Sequence, residues 1–485
     1  MLKKINKESI TITLLMGVVL YFIFFLKLDG FQIRPWDESI YANTAFEMWK
    51  SGKMFAPLRN GLPDLYNSKP LLPIWLQVIS FSALGFNELA VRLPSALAGV
   101  CAAIGLFFFV RSQFNSTWAW SSFFVLITSV GFIHFHASRT GDMDTLLAVF
   151  LAFAFFHFFK LINEEQLRGR DVLLFVIFTA LAFSSKSFAA LLFLPAQVVL
   201  LGVYRKLIPL FKKPQFYIGL VAAFVIAILP IIIRNAQQPG YLNYLINHDA
   251  LRLGNVIEGH QETFEFYFNN LFFSRFSFWI IFTFIGLLLM IRSTEPHIRK
   301  MGIAVGACVF SFLLIISLSI TKLEWYDVPL YPLMAIPAGY AAYSLLLLLN
   351  IAQAGFFAQL TLLVFAFSIP LCYAIKKSMK NEIIFGERKS EELTTYLFLA
   401  DRQHLNLDKW CVVQDWHFSC LDFYRNKMSE QKRNLKIFLT PDSLRIGDHA
   451  LIASDSAKSA VRKMFRVNEE KRYNGVSAFE VVALK

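Results

Sequence analysis

The stretch SRTGDMDTLLAVFLAFAFFHFFKL, residues 138–161, passes from a charged, turn-forming motif straight into an apolar run and meets a lysine at 160. A helix needs about 20 residues at about 1.5 Å rise to cross about 30 Å of hydrocarbon, so this run plus its flanks reads as one membrane crossing, with Asp142 and Asp144 at one mouth and Lys160 at the other. The same pattern recurs along the chain. Apolar runs fall near 9–28, 90–110, 117–136, 145–161, 171–186, 187–204, 215–233, 274–292, 302–321, 329–349 and 356–375. The 485 residues are 56% hydrophobic and 16% aromatic, with 52 Phe, and only 17% are charged against about 25% in soluble proteins. The fold class expected is a polytopic α-helical membrane protein of about eleven spans.

Lys and Arg outnumber Asp and Glu by 47 to 34, a formal +13. The excess sits in short loops between apolar runs, which the membrane explains better than nucleic acid does. Lys3, Lys4 and Lys7 place the N-terminus in the cytoplasm, on a first span read as retained because no small-residue cleavage site follows it. Alternation then puts Arg111, the Lys160–Arg170 loop, Arg205–Lys213 and Arg292–Lys300 on that same side. The outer face receives the long connections 29–89 and 234–273 and the short ones near 137–144 and 322–328. Within 29–89, IYANTAFEMWKSG and PLLPIWLQVISFSALG read as interfacial helices. The expected division is a membrane domain over 1–375 and a small outer α/β domain over 376–485, where WCVVQDW, LKIFLT, HALIAS and FEVVALK are strand-like runs between turn formers. Of the five cysteines none forms a CxxC pair, and Cys411 and Cys420 in the outer tail leave a disulfide open.

The chemistry-bearing residues gather in the outer connections. Asp37 and Glu38 follow the first span, where a carboxylate at membrane level is costly without work or a partner. Then come Asn60-Gly61, Tyr66-Asn67-Ser68-Lys69-Pro70, and Gly85-Phe86-Asn87-Glu88 leading to Arg92-Leu93-Pro94-Ser95. The order continues with Ser138-Arg139-Thr140-Gly141-Asp142-Met143-Asp144, with Ser184-Ser185-Lys186-Ser187 before Leu194-Pro195, and with Thr321-Lys322-Leu323-Glu324-Trp325-Tyr326. This series resembles the polytopic glycosyltransferases that use polyprenyl-phosphate sugars, the protein O-mannosyltransferase and lipid A aminoarabinose transferase group with its GT-C fold. The resemblance covers most of the membrane part. It implies that Asp37 is the catalytic base, with Glu38 and Asp144 as further catalytic carboxylates, Asp144 matching the family acid better than Asp142. It also implies that Lys69, Arg139, Lys186, His248, Arg252, Lys322 and Tyr326 contact substrate. Ser68 stands where an acidic residue is usual, Ser187 where a Gly is usual, and a second Pro is missing after Pro70. The tail after 376 has no matching motif.

The residues make chemical sense without the resemblance. A lipid-anchored phosphate leaving group needs cations near the headgroup and a carboxylate to take the acceptor proton. The leaving group departs already charged, so the reaction requires no nucleotide cofactor or covalent intermediate; a divalent metal stays open. The expected partners are a polyprenyl-phosphate (undecaprenyl-type) sugar, membrane lipids, and a lipid A-like, glycan or protein acceptor, with no nucleic acid. Each residue also has a plain structural alternative. Lys69 can snorkel to headgroups, Arg139 and Asp144 can form a structural pair, Lys186 can meet a buried acid, Lys322 and Tyr326 can anchor the interface, and His248 and His260 can be ordinary loop residues. Trp36 or Tyr41 is the better aromatic for stacking on a sugar, and the Phe stripes read as packing. Beyond a protein O-mannosyltransferase-like activity, the rival from another class is a transporter or flippase of a lipid-linked sugar, which should carry its charges at mid-depth in broken helices.

Overall fold

The computed structural model describes residues 14–485 except 15, 66, 135, 251–253, 255, 257–258, 350–355, 380–387, 406, 408–409, 415–418 and 474. Among the described residues, six helices are long and apolar enough to cross a membrane: Glu88–Gln113, Asp144–Asn163, Gly169–Leu191, Pro214–Gln237, Pro296–Leu318 and Glu324–Leu348. A seventh crossing arises if Phe266–Arg275 and Ile280–Ile291, bent by 110°, count as one span. The other apolar runs are also helical, but Met16–Phe25, Ser116–Ile127 and Leu194–Val203 are shorter than a bilayer is thick.

Local signals set the helix ends. Asn87 and Asn115 cap the helices that follow them, their side chains accepting from the N–H of Ala90 and Trp118. Gly52, with φ at 70°, ends the helix Asp37–Ser51 in the left-handed conformation. In the first long connection, the helices Asp37–Ser51 and Leu72–Leu84 pack on each other and on the start of Glu88–Gln113. They are joined through a two-residue hairpin, β1 (Leu58–Arg59) with β2 (Leu62–Pro63).

The two ends of the bundle differ chemically. At one end His297 bridges the side chain of Asn163 and the carbonyl of Gln113, and Lys206 donates to the carbonyls of Glu164 and Glu165. The basic loops thus meet there, as the charge pattern requires. At the other end lie the first-loop helices, the loop carrying Asp142, and the C-terminal sheet.

That sheet contains β3 (Trp410–Val413), β4 (Lys436–Phe438), β5 (His449–Ile452), β6 (Phe465–Tyr473) and β7 (Val476–Leu484) in the order β4-β3-β5-β7-β6. Its first three strands are parallel and β7 runs antiparallel to both neighbours. The helix Ser419–Glu430 seats it on the membrane domain, with the rings of Phe423 and Phe86 4.6 Å apart. The Tyr424 hydroxyl accepts the Ile33 N–H, and Lys427 pairs with Glu88 at 2.6 Å. Asp401 accepts from Lys427 at 2.9 Å and also pairs with Arg433. One apolar core runs from Tyr41, Met48 and Phe86 into Leu397, Phe423 and Leu451, so first loop and outer sheet pack as one body. Cys411 and Cys420 are buried thiols, touching the His449 carbonyl and the Thr394 hydroxyl respectively, and no disulfide joins them.

Candidate active site

The Asp-Glu pair splits into two environments. Helix periodicity turns adjacent residues about 100° apart, and here that rotation sends Glu38 into the protein and leaves Asp37 at the surface of a cleft. Glu38 is 1% exposed. It accepts from Arg92 Nε at 2.7 Å and Nη2 at 3.0 Å, from the Gly141 N–H at 2.8 Å, and from the Arg34 N–H at 2.9 Å. Arg92 spends its remaining donors on the carbonyls of Leu28, Phe31 and Gln32. Gly141 is glycine because a Cβ there would lie 2.5 Å from Val91 and 3.2 Å from Glu38. The Arg-Leu-Pro-Ser string is thus an anchor: Arg92 holds the first loop through Glu38, and Ser95 donates to the Asp142 carbonyl. Asp37 keeps 38% of its side chain exposed.

Asp37 faces the loop before the helix Asp144–Asn163. Its Oδ2 lies 3.9 Å from Nδ1 of His136, and Oδ1 of Asp142 lies 3.1 Å from the same nitrogen. The His136 ring stacks on Trp325 at 3.5 Å. One residue pair along, Asp144 forms an ion pair with Lys186, whose ammonium sits 4.8 Å over the ring of Tyr326. Three residues from three separate motifs therefore meet. The alternative pairing of Asp144 with Arg139 does not form: Arg139 instead donates to the carbonyls of Ile23 and Leu26 at the end of the first helix.

Lys69 pairs with Asp249 at 2.8 Å, through an oxygen that also accepts from Ser68 and contacts His248 at 3.3 Å. Burial alone would raise the Asp249 carboxyl, but Lys69, His248 and Ser68 outweigh it and hold the group well below its ordinary 3.8. The buried Arg234 donates to the carbonyls of Asp64, Asn67 and Lys69 and so shapes the turn that presents Lys69. Beside it a shallow apolar recess is lined by Leu71, Trp75, Ile226, Pro230, Ile231 and Tyr241, among others. The turn after Lys186 touches the segment Ile246–Ala250, so the Lys69 and Lys186 regions adjoin. Tyr41 is the electrostatic marker of the centre. Burial pushes its phenol well above the ordinary 10, and Asp37, Asp142, Asp144 and Asp249 all push it further. At 7% exposure it packs in the core, so Trp36, 51% exposed, is the aromatic left open to a sugar.

Lys322 is 4% exposed and donates to the carbonyls of Glu262 and Ser319, while its own N–H binds the His260 carbonyl. It ties the second long loop to the late motif. Arg252 lies outside the described residues. His136 was not singled out in the sequence, and neither was the partnership of Asp249 with Lys69. A histidine two residues before the Ser-Arg motif carries no spacing signal, and a contact across 180 positions is invisible without the fold.

A helical membrane bundle that gathers carboxylates and lysines at one end, beneath interfacial helices and a small outer sheet, is the GT-C architecture of membrane glycosyltransferases. In sequence, part of the chain is similar to proteins of two named kinds, protein mannosyltransferases and aminoarabinose transferases. Residues 68–233 match the family described as dolichyl-phosphate-mannose-protein mannosyltransferase. The undecaprenyl phosphate-alpha-4-amino-4-deoxy-L-arabinose arabinosyl transferase of Shewanella sediminis is 27% identical over 49% of this chain and 43% of its own length. An uncharacterized protein of Aquifex aeolicus is 25% identical over 67% of this chain and 62% of its own. The chain therefore spans less than two thirds of these relatives. Among solved structures, apo ArnT from Cupriavidus metallidurans superposes with a TM-score of 0.72 at 16% identity, covering 98% of both chains. The same protein bound to undecaprenyl phosphate gives 0.69, covering 97% of this chain and 98% of that one. The likeness to these structures is one of fold.

Proposed function

We propose that this protein transfers a sugar from a polyprenyl-phosphate donor to an acceptor at the outer face of a bacterial inner membrane. The observation that supports this best is that a half-exposed carboxylate, Asp37, lies near the same buried Tyr41 as the acids that hold Lys69 and Lys186, Asp249 and Asp144. In this reading Asp37 removes the proton of the acceptor nucleophile as it attacks the anomeric carbon. The bond between that carbon and the phosphate oxygen breaks, the phosphate keeps the electron pair, and Lys69 and Lys186 receive its charge. A single displacement of this kind inverts the anomeric centre. Asp144 orients Lys186, and Glu38 is a positioning residue for the helix that carries Asp37. That the solved ArnT binds undecaprenyl phosphate supports the donor class, and the name of the Shewanella relative makes an aminoarabinose-type sugar and a lipid A-like acceptor the first to try. By the positive-inside rule, the end where the basic loops meet faces the cytoplasm in this reading, and the C-terminal domain lies on the other side.

The test is transfer from a radiolabelled polyprenyl-phosphate sugar by purified protein with membrane extract as acceptor. Wild type should move label and Asp37→Asn should not. Equal carrier binding by both proteins, with no label transferred by either across a panel of sugars and acceptors, would replace the enzyme by a lipid-sugar transporter.

A further inference from the structure

Two aromatic contacts hold the middle of the site: Trp325 stacks on His136 with ring centroids 3.5 Å apart, and the ring of Tyr326 lies 4.8 Å beneath the Lys186 ammonium. Both aromatics sit on one short 3₁₀ turn, Glu324–Leu330, whose own hydrogen bonds have poor geometry and do little to fix its orientation. Its support comes from the bent segment Phe266–Arg275. The Tyr267 hydroxyl donates to the Leu323 carbonyl at 3.1 Å, and Asn270 Nδ2 donates to the Glu324 carbonyl at 3.0 Å and to Asp327 Oδ2 at 2.9 Å. Arg275 Nε donates to Asp327 Oδ1 at 3.2 Å, and its Nη2 continues to the Gly131 carbonyl at 2.8 Å. Gly131 belongs to the short helix Val130–Ile133, which leads to His136, and a Cβ there would lie 2.0 Å from the Tyr331 hydroxyl. The N–H and hydroxyl of Ser138 both donate to the Phe132 carbonyl and close the loop that carries His136. His136 holds φ at 51°, a conformation that persists only where its surroundings fix it.

Asp327 and Arg275 are both buried, and a buried ion pair is weak evidence for stability, because desolvating two charges costs about as much as their attraction returns. The transfer reaction gives neither group a step. What the pair has is reach: one guanidinium is bonded to both segments whose rings meet in the site. We propose that Arg275 and Asp327 are positioning residues, which fix the Glu324–Leu330 turn against the Gly131 carbonyl and so set where Trp325 meets His136 and where Tyr326 meets Lys186. The effect on transfer rests on the proposed reaction; the placement of Trp325 does not.

The experiment uses the full-length protein in detergent with its nine tryptophans replaced by 5-fluorotryptophan, Trp325 being assigned by the fluorine resonance missing from Trp325→Phe. Asp327→Asn removes one charge of the pair. Arg275→Met combined with Asp327→Leu removes both and leaves no buried charge alone, a replacement that is often neutral for stability, so it decides the matter where the single variant fails to fold. In the double variant the Trp325 resonance should shift or broaden while those of Trp75 in the first loop and Trp410 in β3 stay in place. The kcat for label transfer should fall about 100-fold, the effect of a misplacement of about 1 Å, with KM for the donor within about 3-fold of wild type. A Trp325 resonance unmoved in the folded double variant overturns the proposal, and so does a moved resonance with kcat unchanged. Movement of all three resonances together, or loss of the folded state in both variants, makes the pair a general stability element and overturns it equally. If wild type transfers no label, the reaction reading falls, while the resonance still decides the placement.

Discussion

Asp37 and Glu38 are neighbours in sequence, and their isosteric amides should fail in opposite ways. In Glu38→Gln the charge opposing Arg92 disappears and an NH₂ group replaces one of two oxygens that together accept from Arg92 Nε and Nη2, the Gly141 N–H and the Arg34 N–H. Arg92 is 2% exposed, so its guanidinium is left buried and uncompensated. Breaking a buried pair from one side costs about 3–5 kcal/mol. In Asp37→Asn nothing comparable is lost, because the side chain is 38% exposed and its polar neighbour is His136 at 3.9 Å. Thermal unfolding of the detergent-solubilised protein, followed by the fluorescence of its nine tryptophans, should fall by several degrees for Glu38→Gln and by less than about one degree for Asp37→Asn. Label transfer, measured below the midpoint of each, should be nearly intact in the first and reduced by about 10²–10⁴-fold in the second. A Glu38→Gln protein as stable as wild type but inactive would refute the assignment and make Glu38 the group that handles the proton.

Lys69→Ala should raise the Kd for polyprenyl phosphate by about 10-fold or more, since it removes a charge-assisted contact, in a lipid-binding titration that needs no turnover. Arg139→Ala should lower the thermal midpoint while leaving that Kd unchanged, because the guanidinium serves the carbonyls of Ile23 and Leu26; a selective loss of lipid binding would return it to the substrate site. Acid should loosen the outer sheet. Burial raises the Asp401 carboxyl, but Lys427 and Arg433 more than offset this and hold it below 3.8, so the stability it contributes is present above that pH and lost as pH falls through its lower folded value. Limited proteolysis of the C-terminal domain should therefore be flat from pH 8 to 5 and rise below about 4, and Asp401→Asn should remove the acid rise at the expense of a faster neutral rate. Reducing agent should leave the thermal midpoint where it is, since Cys411 and Cys420 are both free.

What was legible in the sequence follows from what each signal measures. Hydropathy reports how apolar a run is, and it located the helices; it does not report where a helix breaks within a run, so Ser116–Ile127 and Leu194–Val203 are shorter than the apolar runs that hold them. Alternation found β3, β4, β5 and β7 but passed over β6, whose Arg466, Glu469, Glu470, Lys471 and Arg472 give an edge strand no apolar face to read. In the site, Asp144, Lys186 and Tyr326 come from three separate motifs and meet in the fold, whereas Glu38, beside Asp37 in sequence, turns into the packing. The helix resolves that ambiguity: a rotation of about 100° per residue allows one member of an adjacent pair to line a cleft and forces the other into the packing behind it. Conservation of type at two adjacent carboxylates would be expected from either role, so sequence alone has no means of separating the acid that reacts from the acid that holds it in place. His136 escaped for the complementary reason. Its position is set by a backbone held at φ 51° and a ring stacked on Trp325, nearly two hundred positions away, and both are properties of the assembled fold.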